Sequence, residues 1–225
     1  MMDELVTTFF NFDVLAQVWP LLLQGFWMTL ALAAVAVPLS VLTGIAIAMA
    51  QDVPSKLLRV LLIAYVDVLR AIPPLVLLIF IFFGLPFLGL KLNEFTAAVL
   101  ALTLNGSSYF AEIFRAGIES VPKGQREAAR STGLSWYKSM IHVVVPQGTR
   151  NVLPDLISNT VELVKQTSIA SAVALQELLR SAQLAQGLLY NPTPLIAAAI
   201  VYFLMFWPFV RLVSRLQNRT AVSAA

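Results

Sequence analysis

The chain has 225 residues, 59% of them hydrophobic and only 12% charged, against about 25% charged in an ordinary soluble domain. That balance excludes a water-soluble globular protein and describes a multi-pass membrane protein. The lack of cysteine excludes disulfides and thiolate chemistry, and a formal net charge of +3 is too small and too peripheral for a nucleic-acid partner.

A span needs roughly 20 mainly apolar residues, and the uncharged runs between clusters of charge predict an all-α integral membrane protein with five spans. Asp3, Glu4 and Asp13 stand where a signal peptide would carry basic residues, so the first apolar run reads as a retained helix. The first span covers about 20–50, with Pro38 and Gly44 as tolerated interruptions. Residues 55–70 keep helical apolar spacing but add Lys56, Arg59, Asp67 and Arg70, as an interfacial helix does. Pro73 and Pro74 disfavour an unbroken helix, and the second span, about 73–90, ends in "FGLPFLGL". Spans at about 95–114, 154–178 and 193–212 follow, and a single transmembrane domain of residues 1–225 is expected.

Basic loops stay in the cytoplasm. Nothing before the first span carries Lys or Arg, whereas Lys56, Arg59 and Arg70 follow it and Arg115, Lys123, Arg126, Arg130, Lys138 and Arg150 fill the segment 115–150. The N-terminus is therefore expected outside and the C-terminus inside. Trp19, Trp27 and Trp207 suit the interface, and Arg211, Arg215 and Arg219 suit anionic lipid headgroups.

In the third span, Thr103, Asn105, Ser107, Ser108 and Tyr109 read chiefly as packing glue between helices, and Glu112 and Arg115 are expected to pair locally. The charged segment after it contains turn signals in "VPKGQ", good helix formers in "REAARST", a break at Gly133 and a resumed helix in "LSWYKSM" with Trp136 and Tyr137 as aromatic anchors. This reads either as a knob offered to a partner groove or as a solvated loop whose charges fix topology.

The segment 154–178 carries a polar stripe at three- and four-residue intervals: Asp155, Ser158, Asn159, Glu162 and Gln166, edged by Lys165. A charge there costs at least about 2.5 kcal/mol on insertion scales. One reading makes Ser158, Asn159, Glu162, Lys165, Gln166 and Thr167 the lining of a solute path. The other lets Glu162 and Lys165 neutralise each other or meet a partner permease. No GxxxxGK[ST] loop exists, so the chain is expected to be a non-enzyme that holds no nucleotide. With one histidine, His142, and no cysteine, no metal site is expected either.

The pattern Glu127-Ala128-Ala129, Gly133, then Val143, Val145 and Pro146 resembles the EAA signature of ABC importer permeases, with Val at the usual Ile and Leu positions. "YVDVLRAIPPLV", "LTLNGSSYFAEIFRAGIESVPKGQREAA" and "VKQTSIAS" are similar to motifs of the polar amino-acid branch, departing at Ala71, Ile72 and Gln166. The resemblance implies a MetI-like permease of a bacterial inner membrane, paired with a second copy or a sister permease. It also implies two cytoplasmic ATPase subunits that hold ATP and Mg²⁺, and an extracytoplasmic solute-binding protein. On it, Glu127, Ala128, Ala129, Gly133 and Trp136 belong to the coupling helix seated in an ATPase cleft. A stand-alone ion-coupled carrier is the alternative; the absence of evident internal duplication argues against it.

Overall fold

The computed structural model describes residues 8–223, with side chains through residue 215. Asp3 and Glu4, and the side chain of Arg219, lie outside the described residues. Among the described residues, the helices with both ends described are, in order, α1 (Phe12–Gln51), α2 (Lys56–Ala71), α3 (Pro74–Ile79), α4 (Glu94–Ser120), α5 (Lys123–Ser131), α6 (Trp136–Ser139), α7 (Val145–Asn151), α8 (Leu153–Gln166), α9 (Leu178–Leu189) and α10 (Thr193–Ser223). No strand occurs among the described residues.

Three of these helices are long and apolar enough to cross a bilayer, at Phe12–Gln51, Glu94–Ser120 and Thr193–Arg215, and a fourth crossing results if α2 and the run Pro74–Leu88 form one broken span. Helix α1 begins well before the expected position near residue 20, and Pro20 and Pro38 sit inside it without ending it. At 1.5 Å per residue it is about 60 Å long, roughly twice a hydrocarbon core.

The expected fourth span is not one helix. Helix α8 stops at Gln166, a 3-10 segment runs over Thr167–Val173, and Ala174 turns left-handed at φ 63°. Local hydrogen bonding gives the reason. The hydroxyls of Thr167 and Ser168 donate to the carbonyls of Val164 and Lys165, three residues back, at 2.7 and 2.9 Å. Such bonds compete with the α-helical ladder and suit the tighter 3-10 winding.

Two π-turns, Phe80–Gly84 and Met140–Val144, each end two residues before a proline, Pro86 and Pro146. A proline supplies no N–H and crowds the carbonyl four residues back. Widening the preceding turn lets the chain continue helically past it.

The chain divides into two compact units, each described on its own; α1, α4 and α8 contribute to both. The first takes the described residues within Met1–Ala36, Pro74–Leu102 and Val161–Ala225. Its core joins Val18 and Leu22 of α1 to Leu178, Ala182 and Ala185 of α9 and Ala198 of α10. Glu177, with no exposed surface, caps α9 by accepting from the Leu179 and Arg180 amides at 2.9 and 2.7 Å and from the Tyr202 hydroxyl at 2.8 Å. The Leu178 amide donates to the Thr29 hydroxyl of α1 at 3.1 Å.

The second unit takes Val37–Pro73 and Thr103–Thr160. Ile47, Val66 and Ala111 meet in its core with Leu62 and Tyr65 against them. Asn105 donates to the Leu69 carbonyl at 2.9 Å, Ser107 shares a 2.8 Å hydrogen bond with the Tyr65 hydroxyl, and the Arg70 guanidinium lies over the Tyr109 ring at 5.4 Å. The polar residues of α4 thus bind helices together, as small polar groups do in membranes.

Candidate functional site

The charged segment of the second unit folds as helix, glycine break, helix. Pro122 precedes α5, which ends in two backbone bonds: Leu134 N–H to the Ala129 carbonyl at 3.3 Å and Gly133 N–H to the Arg130 carbonyl at 3.0 Å. This is the Schellman arrangement, which demands a left-handed residue after the cap. Gly133 supplies it, with φ 88°. Ser135 then caps α6 by accepting from the Lys138 amide at 3.4 Å.

The elbow presents a defined face. Glu127, Ala128 and Gly133 are exposed, Trp136 is half-buried and Tyr137 is exposed, whereas Ala129 turns inward and is the buried residue of α5. Charged, small and aromatic residues are thus exposed together along this short segment. Gly133→Ala tests the break itself. No atom obstructs an added methyl, so the cost is the left-handed backbone, about 1–2 kcal/mol. The elbow is expected to fray locally, read as faster amide exchange at Leu134 and Ser135, while the stability of the remaining chain stays unchanged.

Behind the elbow, its root is clamped to α4. Gly117 and Gly148 cross so closely that a Cβ on either would lie 2.7 Å from the backbone of the other. The Asn151 amide donates to the Ser120 hydroxyl at 2.8 Å. Arg126 of α5 reaches Asp52 at 3.1 Å and the Ile118 carbonyl at 2.6 Å. Beside it lies a charged cavity of about 420 Å³ lined by Asp52, Arg59, Asp67, Arg70, Glu112 and Arg115 among others. Arg115 is paired with Glu112, as expected, and also with Glu119. His142 sits exposed in the π-turn.

Helix α8 carries the expected polar stripe along its own length. Glu162 and Lys165 are exposed and pair with each other at 3.4 Å, their side chains 57% and 47% accessible. A pair so open contributes little to stability, and both ends remain accessible. Ser158 gives its hydroxyl to the Pro154 carbonyl at 2.9 Å, Gln166 is half-buried, and the buried Asn159 amide nitrogen has no hydrogen-bond partner. Thr167 is fully buried and donates its hydroxyl to the Val164 carbonyl at 2.7 Å.

Three features escaped sequence reasoning. Glu177 lies in "ALQELLR", where an acid next to an apolar run asks the same question as Glu162; its rarity as a helix cap hid its role. The Gly117–Gly148 crossing and the reach of Arg126 to Asp52 join residues far apart in sequence, and no local pattern marks them.

Residues 40–222 match the family described as binding-protein-dependent transport system inner membrane component. The chain is 36% identical over 201 residues to the probable glutamine ABC transporter permease protein GlnP of Bacillus subtilis, covering 87% of this chain and 92% of that one. It is 39% identical over 174 residues to the probable glutamine ABC transporter permease protein GlnM of the same organism, covering 77% and 81%. A crystal structure of an amino acid ABC transporter with histidines superposes with a TM-score of 0.81 at 37% identity, over 91% of this chain and 96% of that chain.

Proposed function

The chain belongs to the family of binding-protein-dependent transport system inner membrane components, and on that premise we propose that it is the permease subunit of an ATP-binding-cassette importer for polar amino acids. The observation that carries this reading is the elbow: Glu127 and Ala128 exposed on a short helix that a left-handed Gly133 terminates, within the EAA pattern. Two ATPase subunits dock on it and hold ATP and Mg²⁺; this chain holds no nucleotide. A second copy or a sister permease completes the path, and an extracytoplasmic binding protein delivers the solute. The chain sits in a bacterial inner membrane with its N-terminus outside, an orientation resting on the Lys and Arg distribution. Nucleotide-driven closure of the ATPases moves the elbow, and the elbow moves the helices between outward and inward openings.

The exposed Glu162 and Lys165 of α8 supply one charge of each sign, matching the ammonium and carboxylate of an amino acid; Ser158, Asn159 and Gln166 flank them with hydrogen-bonding groups. Glu162→Gln in the assembled transporter is expected to shift solute preference by about tenfold, the scale of one lost charge contact, with assembly intact. Lost assembly with unchanged preference refutes the path role. The test of the whole reading is ATP hydrolysis and uptake in a reconstituted complex. Hydrolysis stimulated by a polar amino acid and its binding protein supports it; ATP-independent uptake by the chain alone, driven by an ion gradient, overturns it.

A further inference from the structure

Helix α5, the exposed arm of the elbow, buries only Ala129 along its nine residues. Among the described residues, its side-chain hydrogen bonds to α4 and to the end of α1 all come from Arg126. That guanidinium faces Asp52, the residue immediately after α1, with 3.1 and 3.3 Å to its two carboxylate oxygens, and donates its other terminal nitrogen to the Ile118 carbonyl in the last turn of α4. Both the arginine and the aspartate side chains are about one quarter exposed, at 28% each, so the pair is partly shielded from solvent.

The placement has a physical logic. The last four carbonyls of a helix lack partners within it, and the helix dipole makes that end negative. Arg126 places one cation beside the negative ends of α1 and α4 and donates to a last-turn carbonyl of α4, which also accepts from the Val121 amide at 3.4 Å. Arg59 does the same work at α1 from α2, donating to the Gln51 carbonyl at 2.9 Å. The planar fork of arginine bonds a carboxylate and a carbonyl together; a lysine ammonium offers no such fixed geometry.

We propose that Arg126 is a positioning residue that yokes the elbow to α1 and α4 through Asp52 and the Ile118 carbonyl, so that displacement of α5 is transmitted to both helices. This rests on the permease reading above and adds, beside the Gly117–Gly148 clamp on α4, a link from the exposed arm to both helices. Without the yoke, α5 still presents Glu127 and Ala128 to its partner, but its movement is dissipated in the elbow.

The test measures solute molecules imported per ATP hydrolysed in the reconstituted complex, for Arg126→Gln, Arg126→Lys, Asp52→Asn and the double variant Asp52→Asn with Arg126→Gln. The ratio is expected to fall about fivefold or more in Arg126→Gln, less in Asp52→Asn because the Ile118 carbonyl bond survives, and by as much in Arg126→Lys as in Arg126→Gln. The double variant should be no worse than Arg126→Gln, because both substitutions cut one connection. An unchanged ratio in Arg126→Gln, or losses that add in the double variant, overturns the proposal. If Arg126→Gln fails to assemble, Asp52→Asn decides: a reduced ratio supports the yoke, an unchanged one refutes it. Failure of the permease reading is distinguishable, since the wild-type complex would then show no solute-dependent ATP hydrolysis.

Discussion

Replacing Gly148 with valine is expected to abolish ATP-driven uptake, lowering it by at least about tenfold while the chain still inserts in the membrane. A Cβ at this position would lie 2.7 Å from both the carbonyl carbon and the oxygen of Gly117 and 3.0 Å from the Ile118 amide nitrogen. All three are backbone atoms of α4, so no side chain can rotate out of the way. Overpacking of this kind costs about 1–3 kcal/mol even where neighbours yield, and here α7 must retreat from α4 as a body. The retreat would break the Asn151–Ser120 bond and displace the root of the elbow. Gly117→Val meets the same obstacle from the other side, since its Cβ would lie 2.7 Å from the Gly148 oxygen, so the two variants should fail alike. Uptake in vesicles, with expression and membrane insertion checked by immunoblot, reads the result. Wild-type uptake by either variant would show that the crossing does not set the elbow.

The second large effect is on stability. Glu177→Ala removes the acceptor for the Leu179 and Arg180 amides and for the Tyr202 hydroxyl, at a position with no exposed surface. The three donors are partly buried, so each left without a partner costs about 1 kcal/mol, the low end of the range for a buried group, and the summed loss is expected to be about 3 kcal/mol. The total stability of a folded chain is only about 5–15 kcal/mol. Helix α9 would lose its cap, and the contact between α1, α9 and α10 built around Leu22, Leu178 and Ala198 would loosen. Glu177→Gln keeps one carbonyl oxygen and its length, and should lose less than half as much. Denaturant titration in detergent micelles, followed by tryptophan fluorescence, separates the three proteins; equal midpoints for wild type and Glu177→Ala would refute the keystone role.

The class of the molecule and the anatomy of its elbow were legible from residue order because both are local. Hydropathy runs report apolar length, and "GQREAARSTG" combines helix formers with a glycine whose left-handed conformation ends α5. The interruption after Gln166 was not legible. Hydropathy averages over residues 167–173, and it does not register that Thr167 and Ser168 hydrogen-bond back to the chain and tighten it. Nor does it register that Thr167, expected on the solute path, is buried and gives its hydroxyl to the Val164 carbonyl. The start of α1 was missed for a different reason. Asp13 and the mixed residues around it lower the apolar average, yet Asn11 accepts from the Asp13 and Val14 amides at 3.0 and 3.1 Å and starts the helix there. Long-range pairs such as Gly117 with Gly148 and Asp52 with Arg126 depend on how the helices pack, which a single sequence does not encode in any local spacing.

The absence of cysteine from the chain allows the central claim to be tested at one atom. Ala128→Cys places a single thiol on the exposed face of α5, and a short bifunctional reagent applied to inverted membrane vesicles reports what lies beside it. A crosslink to an ATPase subunit, its yield changing when ATP is added, is the expected result. A thiol that reacts only with impermeant reagents from the extracytoplasmic side, or that never joins a nucleotide-binding subunit, would contradict it.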